Sequence, residues 1–393
     1  MDRFLKDVTD NELSPFGGKI VVLGGDFRQC LPVIQRASSA QILNSTIKSS
    51  ELWDHFSQNT FHLTTNMRSN DGGFSDWLLN IGNGQTPQHQ EVKSVNFRHT
   101  NIKIVHTEED LIEEVYGCSM NINTLRNHHS SIILAPKNKL IHNTNEKVLK
   151  IIETPSTESW AINHPVVDGN HPIIPDELLE KIQPSGFPPH KLTIKVGAVY
   201  MLLRNLNVKK GLCNGSRIVI QSFSEKIITF ALLKNDGTIR EQGVLLPRIT
   251  LTPNEEYVFQ FQRTQYPVMP AYAGTFQKCQ GCTFDKIGID LREECFTHGQ
   301  LYVALSRAKN FESIIVLLPE GKTVVKNIVW KQILQQFRQE PINLPPIQGE
   351  LLPNEDNLPI QPNFDPFQGT ELDAEYFLAH PQPEEALEEN EES

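Results

Sequence analysis

Residues 103–152 read KIVHTEEDLIEEVYGCSMNINTLRNHHSSIILAPKNKLIHNTNEKVLKII and alternate short apolar runs with helical patterns. KIVHT (103–107) and SIILA (131–135) are typical of strands, and each is followed by a segment with apolar residues at helical spacing. Those segments are DLIEEVYG (110–117) and KNKLIHNTNEKVLKII (137–152). Because strands and helices alternate, this stretch predicts a parallel sheet covered by helices.

The same rhythm extends to both sides of this stretch. Further runs typical of strands are KIVVLG (19–24), FHLT (61–64), FDKIGIDL (284–291) and SIIVLLP (313–319). Helical patterns are predicted over 38–56, 74–82 and from about His298 to Arg307. We therefore expect an α/β fold built on parallel sheets that are flanked by helices.

From about residue 190 the pattern changes to short strands with turn signals between them and no helical period. LTIKVGAVYMLLRN (192–205), GSRIVIQSF (215–223), KIITFALL (226–233) and EQGVLLPRITL (241–251) are the strand candidates. They predict a small β-barrel inserted at 191–251. The predicted domains are then 1–58, part of a first α/β domain; 59–190 with 252–340, a second one; and the insertion at 191–251.

Charge and composition describe a globular body with an acidic tail. The formal net charge is −11, but residues 341–393 hold thirteen Asp and Glu, nine Pro and no Lys or Arg, which leaves 36 basic and 34 acidic residues elsewhere. That tail is predicted to be disordered. No apolar run is long enough to cross a bilayer, and the six cysteines are dispersed, so we expect an intracellular protein.

Two segments carry groups suited to phosphate. Gly25-Asp26-Phe27-Arg28-Gln29 follows the predicted strand at 19–24, and ligands of open α/β sheets bind beyond the carboxyl ends of strands. Gln29 can hydrogen-bond a γ-phosphate or its attacking water, and Asp26 can assist water or metal. Arg68, at the end of LTTNMR (63–68), is a forked phosphate donor. A capped tight turn explains residues 25–29 equally well, and an ordinary surface arginine explains Arg68 better when that residue is taken alone.

The segment TFQKCQGCT (275–283) follows an apolar strand and is predicted to begin a helix. Its hydroxyl, amide and ammonium groups suit a phosphate, either of a nucleotide or of a nucleic-acid backbone. Cys279 and Cys282 also form a C-x-x-C, which is compatible with zinc or with a redox dithiol. Because zinc needs four ligands and no second pair has matching spacing, we interpret the two cysteines as incidental to metal binding.

The stretch HGQLYVALSRA (298–308) has apolar residues on one helical face and Arg307 near its end. An arginine at that place stabilises a helix C-terminus. It can also serve as an arginine finger, which neutralises charge on a transferring phosphoryl group.

Taken in order, these segments resemble the Pif-one-like DNA helicases, and most closely the forms linked to Helitron transposons. The resemblance rests on PFGGKIVVLGGDFRQCLPVI, LTTNMR, VGAVYMLLRNLNVKKGLCNGSR, QYPVMPAYAGTFQKCQGCTFDKIGIDL and HGQLYVALSRA, and it spans about residues 1–318. It implies RecA-like domains of the P-loop NTPase type with ATP and Mg²⁺ between them, an SH3-like barrel as the insertion, and single-stranded DNA and duplex junctions as partners.

The resemblance also implies roles for particular residues. Gln29, Arg68 and Arg307 are the candidate catalytic residues, and the candidate nucleotide-binding residues are Asp26, Gln29, Arg68, Gly281 and Arg307. The candidate DNA-binding residues are Thr275, Gln277, Lys278 and Thr283. The family pattern at 275–283 is close to T-I-N-K-S-Q-G-Q-T, so Gln277, Cys279 and Cys282 depart from it.

The implied activity is ATP-dependent 5′-to-3′ DNA unwinding in repair, recombination or telomere maintenance, in the nucleus or in mitochondria. No G-x-x-x-x-G-K-[ST] occurs in the 393 residues, so the phosphate loop and its Mg²⁺ ligand are missing from this chain, which we expect to be truncated at its N-terminus. A catalytically inactive nucleic-acid-binding remnant is the alternative function. A zinc or redox protein that uses Cys279 and Cys282 is the third.

Overall fold

The computed structural model describes residues 1–32, 34, 37–69, 71–85, 93–165, 175–184, 186–224, 226–234, 238–240, 242–253 and 260–335. The tail predicted at 341–393 lies outside the described residues. In the described part of the chain, no helix combines the length and the apolar character needed to cross a membrane.

The helices are short, and several begin at a side-chain cap. Asp71 accepts a hydrogen bond from the Phe74 N–H at the start of α4, and Thr107 accepts one from the Asp110 N–H at the start of α5. The helices are α1 Asp2–Thr9, α2 Ser39–Asn44, α3 Trp53–Ser57, α4 Gly72–Asn83, α5 Glu108–Tyr116, α6 Asn138–Lys150, α7 Asp176–Lys181, α8 Gln300–Leu305 and α9 Lys331–Gln335.

The strands fall into one parallel sheet and several antiparallel ones. They are β1 Ser94–Asn96, β2 Lys103–Val105, β3 Ser131–Ala135, β4 Ser156–Trp160, β5 Ile162–Pro165, β6 Lys191–Lys195, β7 Val199–Leu202, β8 Arg217–Phe223, β9 Ile227–Leu232, β10 Val244–Pro247, β11 Ile249–Leu251, β12 Phe261–Gln265, β13 Val268–Pro270, β14 Ala273–Thr275, β15 Lys286–Asp290, β16 Ile314–Leu317 and β17 Val324–Lys326.

The parallel sheet has the strand order β14-β3-β15-β16-β2 and is the centre of the α/β unit. Every residue of β3 is buried. Ile132 and Leu134 join a core with α4 and α8, whereas Ile133 and Ala135 join a core with α5 and α6 on the opposite face. Because successive side chains of a strand point to opposite faces, a continuous apolar run such as SIILA serves both layers. The predicted parallel sheet flanked by helices is therefore confirmed.

Apart from the pair β1–β17, the antiparallel strands of the described residues lie in the chain between α6 and β14. Their largest sheet has the order β10-β9-β8-β7-β13, and smaller sheets join β11, β12 and β5, and β4 with β6. Antiparallel pairing in this part of the chain starts at Ser156 and continues to Pro270, beyond both limits of the predicted insertion at 191–251. The sequence of β4, STESW, is too polar to signal a strand by itself. The closed SH3-like barrel and the domain boundaries stay predictions.

Two predicted strands are wrong. Residues 19–24 and 61–64 pair with no strand in the described parts of the chain, and their apolar side chains face solvent: Ile20 is 95% exposed, Val22 88% and Leu63 100%. An apolar β-branched run forms a strand only where a neighbouring strand supplies hydrogen-bond partners. The apolar pattern alone could not show whether such a partner exists.

Three predicted helices also differ from the structure. The pattern over 38–56 is divided into α2 and α3, with a 3₁₀ turn at Ile47–Ser49 between them. The helix predicted from about His298 to Arg307 is shorter, spanning Gln300–Leu305. The segment after Thr275 forms successive turns rather than a helix, because Gly281 adopts a φ of +87°, which ends any helical continuation.

Candidate functional site

The turn Asp26–Gln29 is held together by its own polar groups. The Gln29 N–H donates to the Asp26 carbonyl over 3.1 Å, and the Arg28 N–H donates to Asp26 Oδ1 over 3.0 Å. The Arg28 guanidinium lies 3.3 Å from the same carboxylate oxygen and donates through Nε to Asn83 Oδ1, 2.8 Å away, at the end of α4. The capped turn that the sequence allowed is therefore present, and it fixes the direction of Gln29.

Two side chains of the segment 298–302 dock this turn onto α8. The Tyr302 hydroxyl donates to Asp26 Oδ2 over 2.9 Å, and burial, followed by the charge of Asp26, raises the pKa of Tyr302 to about 12. His298 Nδ1 accepts the Trp330 N–H over 2.8 Å, so Nε2 carries the proton and donates to the Phe27 carbonyl, also 2.8 Å away. Burial lowers the pKa of His298, which favours this neutral tautomer.

A glycine permits the close approach of the turn to α8. Gly299 has a φ of +74°, and a Cβ at this position would lie 2.4 Å from the Arg28 carbonyl oxygen and 2.8 Å from the Gln29 carbonyl carbon. Both the backbone conformation and the space therefore require glycine. Gly82 of α4 has a similar role, since a Cβ there would lie 2.8 Å from Arg28 Cδ.

The Phe27 side chain anchors the turn on its other side. Its ring packs edge-on against Trp53 of α3, with 5.8 Å between ring centroids, and the Lys48 ammonium lies 4.4 Å from the Phe27 centroid. Lys48 also donates to the Ile333 carbonyl of α9. Burial lowers the pKa of Lys48 to about 8. The turn is thus packed between the N-terminal helices and the segments around α8 and α9.

Gln29 contacts the turn that contains the two cysteines. Gln280 Nε2 donates to Gln29 Oε1 over 2.6 Å. The Cys282 N–H donates to the Cys279 carbonyl over 3.1 Å, and Gly281 between them has a φ of +87°, as expected at the third position of a type II turn. Residues 279–282 therefore form one hydrogen-bonded turn that faces the candidate sensor Gln29.

Arg68 contacts the same region from a different part of the sequence. Its Nε donates to Thr283 Oγ1 over 2.9 Å, and its Nη1 donates to the Ser306 carbonyl over 2.7 Å. Ser306 is the residue after α8, so Arg68 binds a carbonyl at the negative end of that helix.

Arg307 follows Ser306 in the chain and is buried, with only 2% of its surface exposed. Its Nε donates to the Val303 carbonyl over 2.9 Å, Nη1 to the Cys282 carbonyl over 3.1 Å, and Nη2 to Ser306 Oγ over 2.8 Å. Burial, followed by the charge of Arg68, lowers the pKa of the guanidinium. To reach a phosphoryl group, Arg307 must exchange these bonds.

The two arginines form an electropositive pair. Both bind Ser306, and neither has a carboxylate partner among the described residues. Their acceptors are neutral carbonyl and hydroxyl oxygens, which do not neutralise the two charges. Such a pair is suited to an anion.

The remaining predicted residues lie along the same segment. Thr275 ends β14, is 8% exposed, and accepts the Lys278 N–H through Oγ1 over 3.3 Å. Gln277 is half-buried and Lys278 is exposed, while Thr283 is half-buried and engaged by Arg68. The structure therefore brings Gln29, Arg68 and Arg307 into contact with residues 280–283, but the Thr275 hydroxyl serves its own turn.

Comparison with known proteins gives consistent results. Family sequence models match residues 1–92, described as PIF1-like helicase, and residues 177–223, described as the 2B domain of DNA helicase Pif1. The ATP-dependent DNA helicase PIF1 of Xenopus laevis is 28% identical over 83% of this chain and 45% of its own length. That of Campylobacter jejuni is 29% identical over 76% of this chain and 62% of its own length.

A solved structure shares the fold. Pif1 helicase from Bacteroides, in complex with ADP-AlF3 and ssDNA, has a TM-score of 0.57 at 24% identity, covering 86% of this chain and 70% of that one. The chain is similar to the PIF1-like helicases over most of its length. Its fold is accordingly RecA-like, as the sequence predicted. The chain spans about half the length of the curated PIF1 relatives that it matches.

The described residues around Gln29 offer no set of ligands for Mg²⁺. Asp26 belongs to the same turn as Gln29, and its two carboxylate oxygens are engaged by Arg28 and Tyr302. Within the ranges that the structure describes, no three His, Cys, Asp or Glu side chains are grouped so that they could hold a metal ion. The described residues thus fit phosphate recognition but not Mg²⁺ or zinc binding.

A Gly-Lys-Thr triplet at 321–323 does not form a phosphate loop. Val316 stands where the motif requires its first glycine, and the triplet leads into strand β17 rather than into a helix. Lys322 is ion-paired with Glu294 over 2.6 Å.

The sequence analysis missed the residues that position the turn. His298 and Tyr302 belong to the quoted HGQLYVALSRA segment, but only Arg307 was assigned a role there. The pair His298-Gly299 before an apolar helical pattern was the available signal, because a glycine at a helix start commonly marks a close backbone approach. For Gln280, no feature of the sequence other than the neighbouring residues indicated that its side chain would contact Gln29.

Proposed function

We propose that this chain provides the phosphate-sensing and DNA-contacting part of an ATP-dependent DNA helicase that unwinds duplexes in the 5′-to-3′ direction. Gln29, Arg68 and Arg307 respond to the γ-phosphate, with Asp26 and Gly281 shaping the surroundings. Thr275, Gln277, Lys278 and Thr283 form the segment that faces single-stranded DNA. Repair, recombination and telomere maintenance are the proposed settings.

The observation that carries the proposal is the paired arrangement of Arg68 and Arg307 beside Gln29. Two guanidinium groups that share Ser306 repel each other, and an anion bound between them relieves that repulsion. A γ-phosphate carries the required charge, and Gln29 can orient a water molecule for attack on it. The names of the PIF1 relatives and the ADP-AlF3 and ssDNA of the Bacteroides structure support both ligands.

ATP supplies the transferable phosphoryl group, and Mg²⁺ neutralises its oxygens when bound. In these 393 residues no G-x-x-x-x-G-K-[ST] is present, so we assign them the sensing groups and not the nucleotide cradle. Arg307 adds to the phosphoryl-transfer rate only when the cradle already holds the nucleotide.

The second candidate function is a nucleic-acid-binding protein without hydrolysis. It is favoured by the engagement of all three Arg307 nitrogens with protein acceptors, a state that needs no nucleotide. ATP hydrolysis distinguishes the two functions, because single-stranded DNA binding is expected in both.

The test compares residues 1–393 with a continuous fusion that adds the phosphate-loop segment of a PIF1 relative. Residues 1–393 alone should show no DNA-stimulated ATP hydrolysis, and the fusion should show it. In the fusion, Arg307→Ala should lower the rate by about 10³–10⁵-fold. Arg126→Ala, at an exposed arginine of the 3₁₀ turn Leu125–His128, is the matched control and should leave the rate unchanged.

Two results would contradict the proposal. One is ATP hydrolysis by residues 1–393 alone that is lost in Arg307→Ala. It would show that these residues already contain the nucleotide-binding groups that we assign to another segment. A folded fusion that binds DNA without hydrolysing ATP would favour the second function. A strand-displacement assay on duplexes with a single 5′ or 3′ overhang tests the polarity, and unwinding of the 3′-tailed duplex alone would refute it.

The proposed compartment is the nucleus, with the mitochondrion as the alternative, because both contain duplex DNA. Imaging of the tagged full-length protein against DNA in each compartment tests this, and exclusion from both would refute it.

A further inference from the structure

Cys279 and Cys282 occupy the two ends of the turn that faces the candidate sensors. Residues at the first and fourth positions of a β-turn have Cα atoms less than about 7 Å apart, and disulfides span about 4.4–6.8 Å between Cα atoms. The Cys282 N–H···O=C Cys279 bond of 3.1 Å shows that this turn is closed. The backbone therefore already has the separation that a disulfide needs, while both thiols are free.

The two thiols differ in access. Cys279 is 2% exposed and lies against Gly274, whereas Cys282 is half-buried. Burial, followed by the nearby Cys282, raises the pKa of the Cys279 thiol to about 12. Cys282 is therefore the thiol that an external reagent reaches first, and Cys279 is placed to react with it afterwards.

Two cationic side chains lie near the pair. Arg307 donates to the Cys282 carbonyl. The Arg217 guanidinium stacks over Phe284, 5.5 Å from its centroid, and its buried Nε and Nη2 have no hydrogen-bond partner among the described residues. Both guanidiniums lower the pKa of the Cys279 thiol and so oppose the effect of its burial. Their charge reduces, without cancelling, the cost that burial imposes on the Cys279 thiolate.

We propose that Cys279 and Cys282 are a reversible thiol–disulfide pair, oxidised by low-molecular-weight disulfides, which controls the contacts of the 279–283 turn with Gln29, Arg68 and Arg307. The inference about disulfide formation is independent of the proposed function. Its effect on DNA binding rests on that function.

The reaction balances without a metal or a cofactor. The Cys282 thiol loses its proton, and its thiolate attacks one sulfur of a glutathione-type disulfide, releasing one small thiolate. Cys279 then loses its proton and attacks Cys282 Sγ, forming the intramolecular bond and releasing the second small thiolate. The protein dithiol is oxidised by two electrons, the external disulfide is reduced, and the two protons go to the two released thiolates.

Three contacts make the turn sensitive to this bond. Gln280 donates to Gln29, Thr283 accepts from Arg68, and the Cys282 carbonyl accepts from Arg307. The Cα separation already suits a disulfide, so we expect the new bond to reorient only the peptide groups on either side of Cys282. We expect the Arg68–Thr283 bond to be lost, which would free Arg68 for cleavage by trypsin.

The experiment uses the full 393-residue chain, equilibrated with mixtures of reduced and oxidised glutathione and then alkylated. Trypsin cuts after Lys278 and Lys286, so both cysteines fall in the peptide CQGCTFDK (279–286). Mass spectrometry should show that this peptide loses both thiol hydrogens without gaining glutathione, and that excess reduced glutathione reverses the change. Cys118 is exposed and reports on the oxidant by forming a mixed disulfide.

Single variants separate the two thiols. Cys279→Ser should leave Cys282 as a mixed disulfide, and Cys282→Ser should leave Cys279 as an unmodified thiol. A wild-type peptide that stays reduced while Cys118 reacts would overturn the proposal, and so would mixed disulfides accumulating at both positions.

A second measurement follows the contacts. Oxidation should accelerate tryptic cleavage after Arg68 by about five-fold, the equilibrium effect of one hydrogen bond. The double variant Cys279→Ser with Cys282→Gln should not respond to oxidant. Equal cleavage of the oxidised and reduced wild-type protein would refute the control of the turn. If the reduced protein binds no single-stranded DNA, the proposed function fails while the disulfide result stands.

Discussion

Replacement of Gly299 by alanine tests the docking of the Asp26–Gln29 turn most directly. A Cβ at residue 299 would lie 2.4 Å from the Arg28 carbonyl oxygen, so either the turn or the start of α8 must move. Gly321 is a matched control, because its φ of +75° equals the +74° of Gly299 within a degree and nothing lies within 4 Å of its Cβ position. The difference between the two variants isolates the steric contact from the backbone strain.

The expected magnitudes follow from the contacts. Alanine at a left-handed position costs about 1–2 kcal/mol, and this applies to both variants. Displacing the turn also removes the Tyr302–Asp26 bond, about 1.5–3 kcal/mol for a charged acceptor, and the His298–Phe27 bond, about 1 kcal/mol. Gly299→Ala should therefore lower the free energy of unfolding by about 2–4 kcal/mol more than Gly321→Ala.

Urea unfolding of both variants measures the difference in their free energies of unfolding, provided that the slope of this free energy against urea concentration is the same in both. Limited trypsin digestion gives the location, since an undocked turn should be cut after Arg28 in Gly299→Ala but not in Gly321→Ala. Equal destabilisation of the two variants, with Arg28 protected in both, would show that the turn does not rest on residue 299.

Three further predictions concern the same site. Because burial lowers the pKa of His298 below its ordinary value of about 6.5, the unfolded chain binds the proton more tightly. The contribution of His298 to the free energy of unfolding should therefore be fully present above about pH 6.5 and decrease as the pH falls below it. In urea titrations, His298→Gln should reduce the dependence of the free energy of unfolding on pH. An unchanged pH dependence would contradict the assignment. Lys278→Ala should reduce the log–log salt slope of single-stranded DNA binding, measured by anisotropy, by about 0.7, whereas the exposed Lys226→Ala should leave it unchanged. Gln29→Ala combined with Lys278→Ala should depart from additivity in DNA affinity by about 0.5 kcal/mol or more, and strict additivity would exclude coupling between the two residues.

The fold was predictable where a local pattern and its long-range partner coincide. SIILA at 131–135 is an apolar run, and the strands on both sides of it are present, so β3 forms as expected. KIVVLG at 19–24 has the same pattern, but no described strand pairs with it, and Ile20 and Val22 are left exposed. The hydrophobic pattern of a segment indicates how strongly its side chains tend to be buried. Pairing depends on residues that are distant in sequence, which the pattern cannot report.

The candidate site was predictable in composition but not in geometry. The residue types of GDFRQ and of HGQLYVALSRA pointed to Gln29 and Arg307, and both lie at the site. The sequence could not show that Arg307 would be buried and bound to three protein acceptors. Nor could it show that Gly299 touches the backbone of Arg28, because these residues are 271 positions apart and meet only in the folded chain.

Under the proposed function, the residues 279–283 connect the phosphate-sensing side chains with the DNA-contacting ones. One side of the turn contacts Gln29 and Arg68, and the chain that enters it carries Lys278, whose N–H is tied to Thr275 Oγ1. An anion that draws Arg68 away from Thr283 removes one of the two side-chain contacts that link this turn to residues 29 and 68. The turn is only a few residues long and closed by its own hydrogen bond, so we expect it to shift together with the adjoining Lys278. In the proposed function, a change in phosphate occupancy would thus alter DNA binding through this one short element, without rearrangement of the parallel sheet.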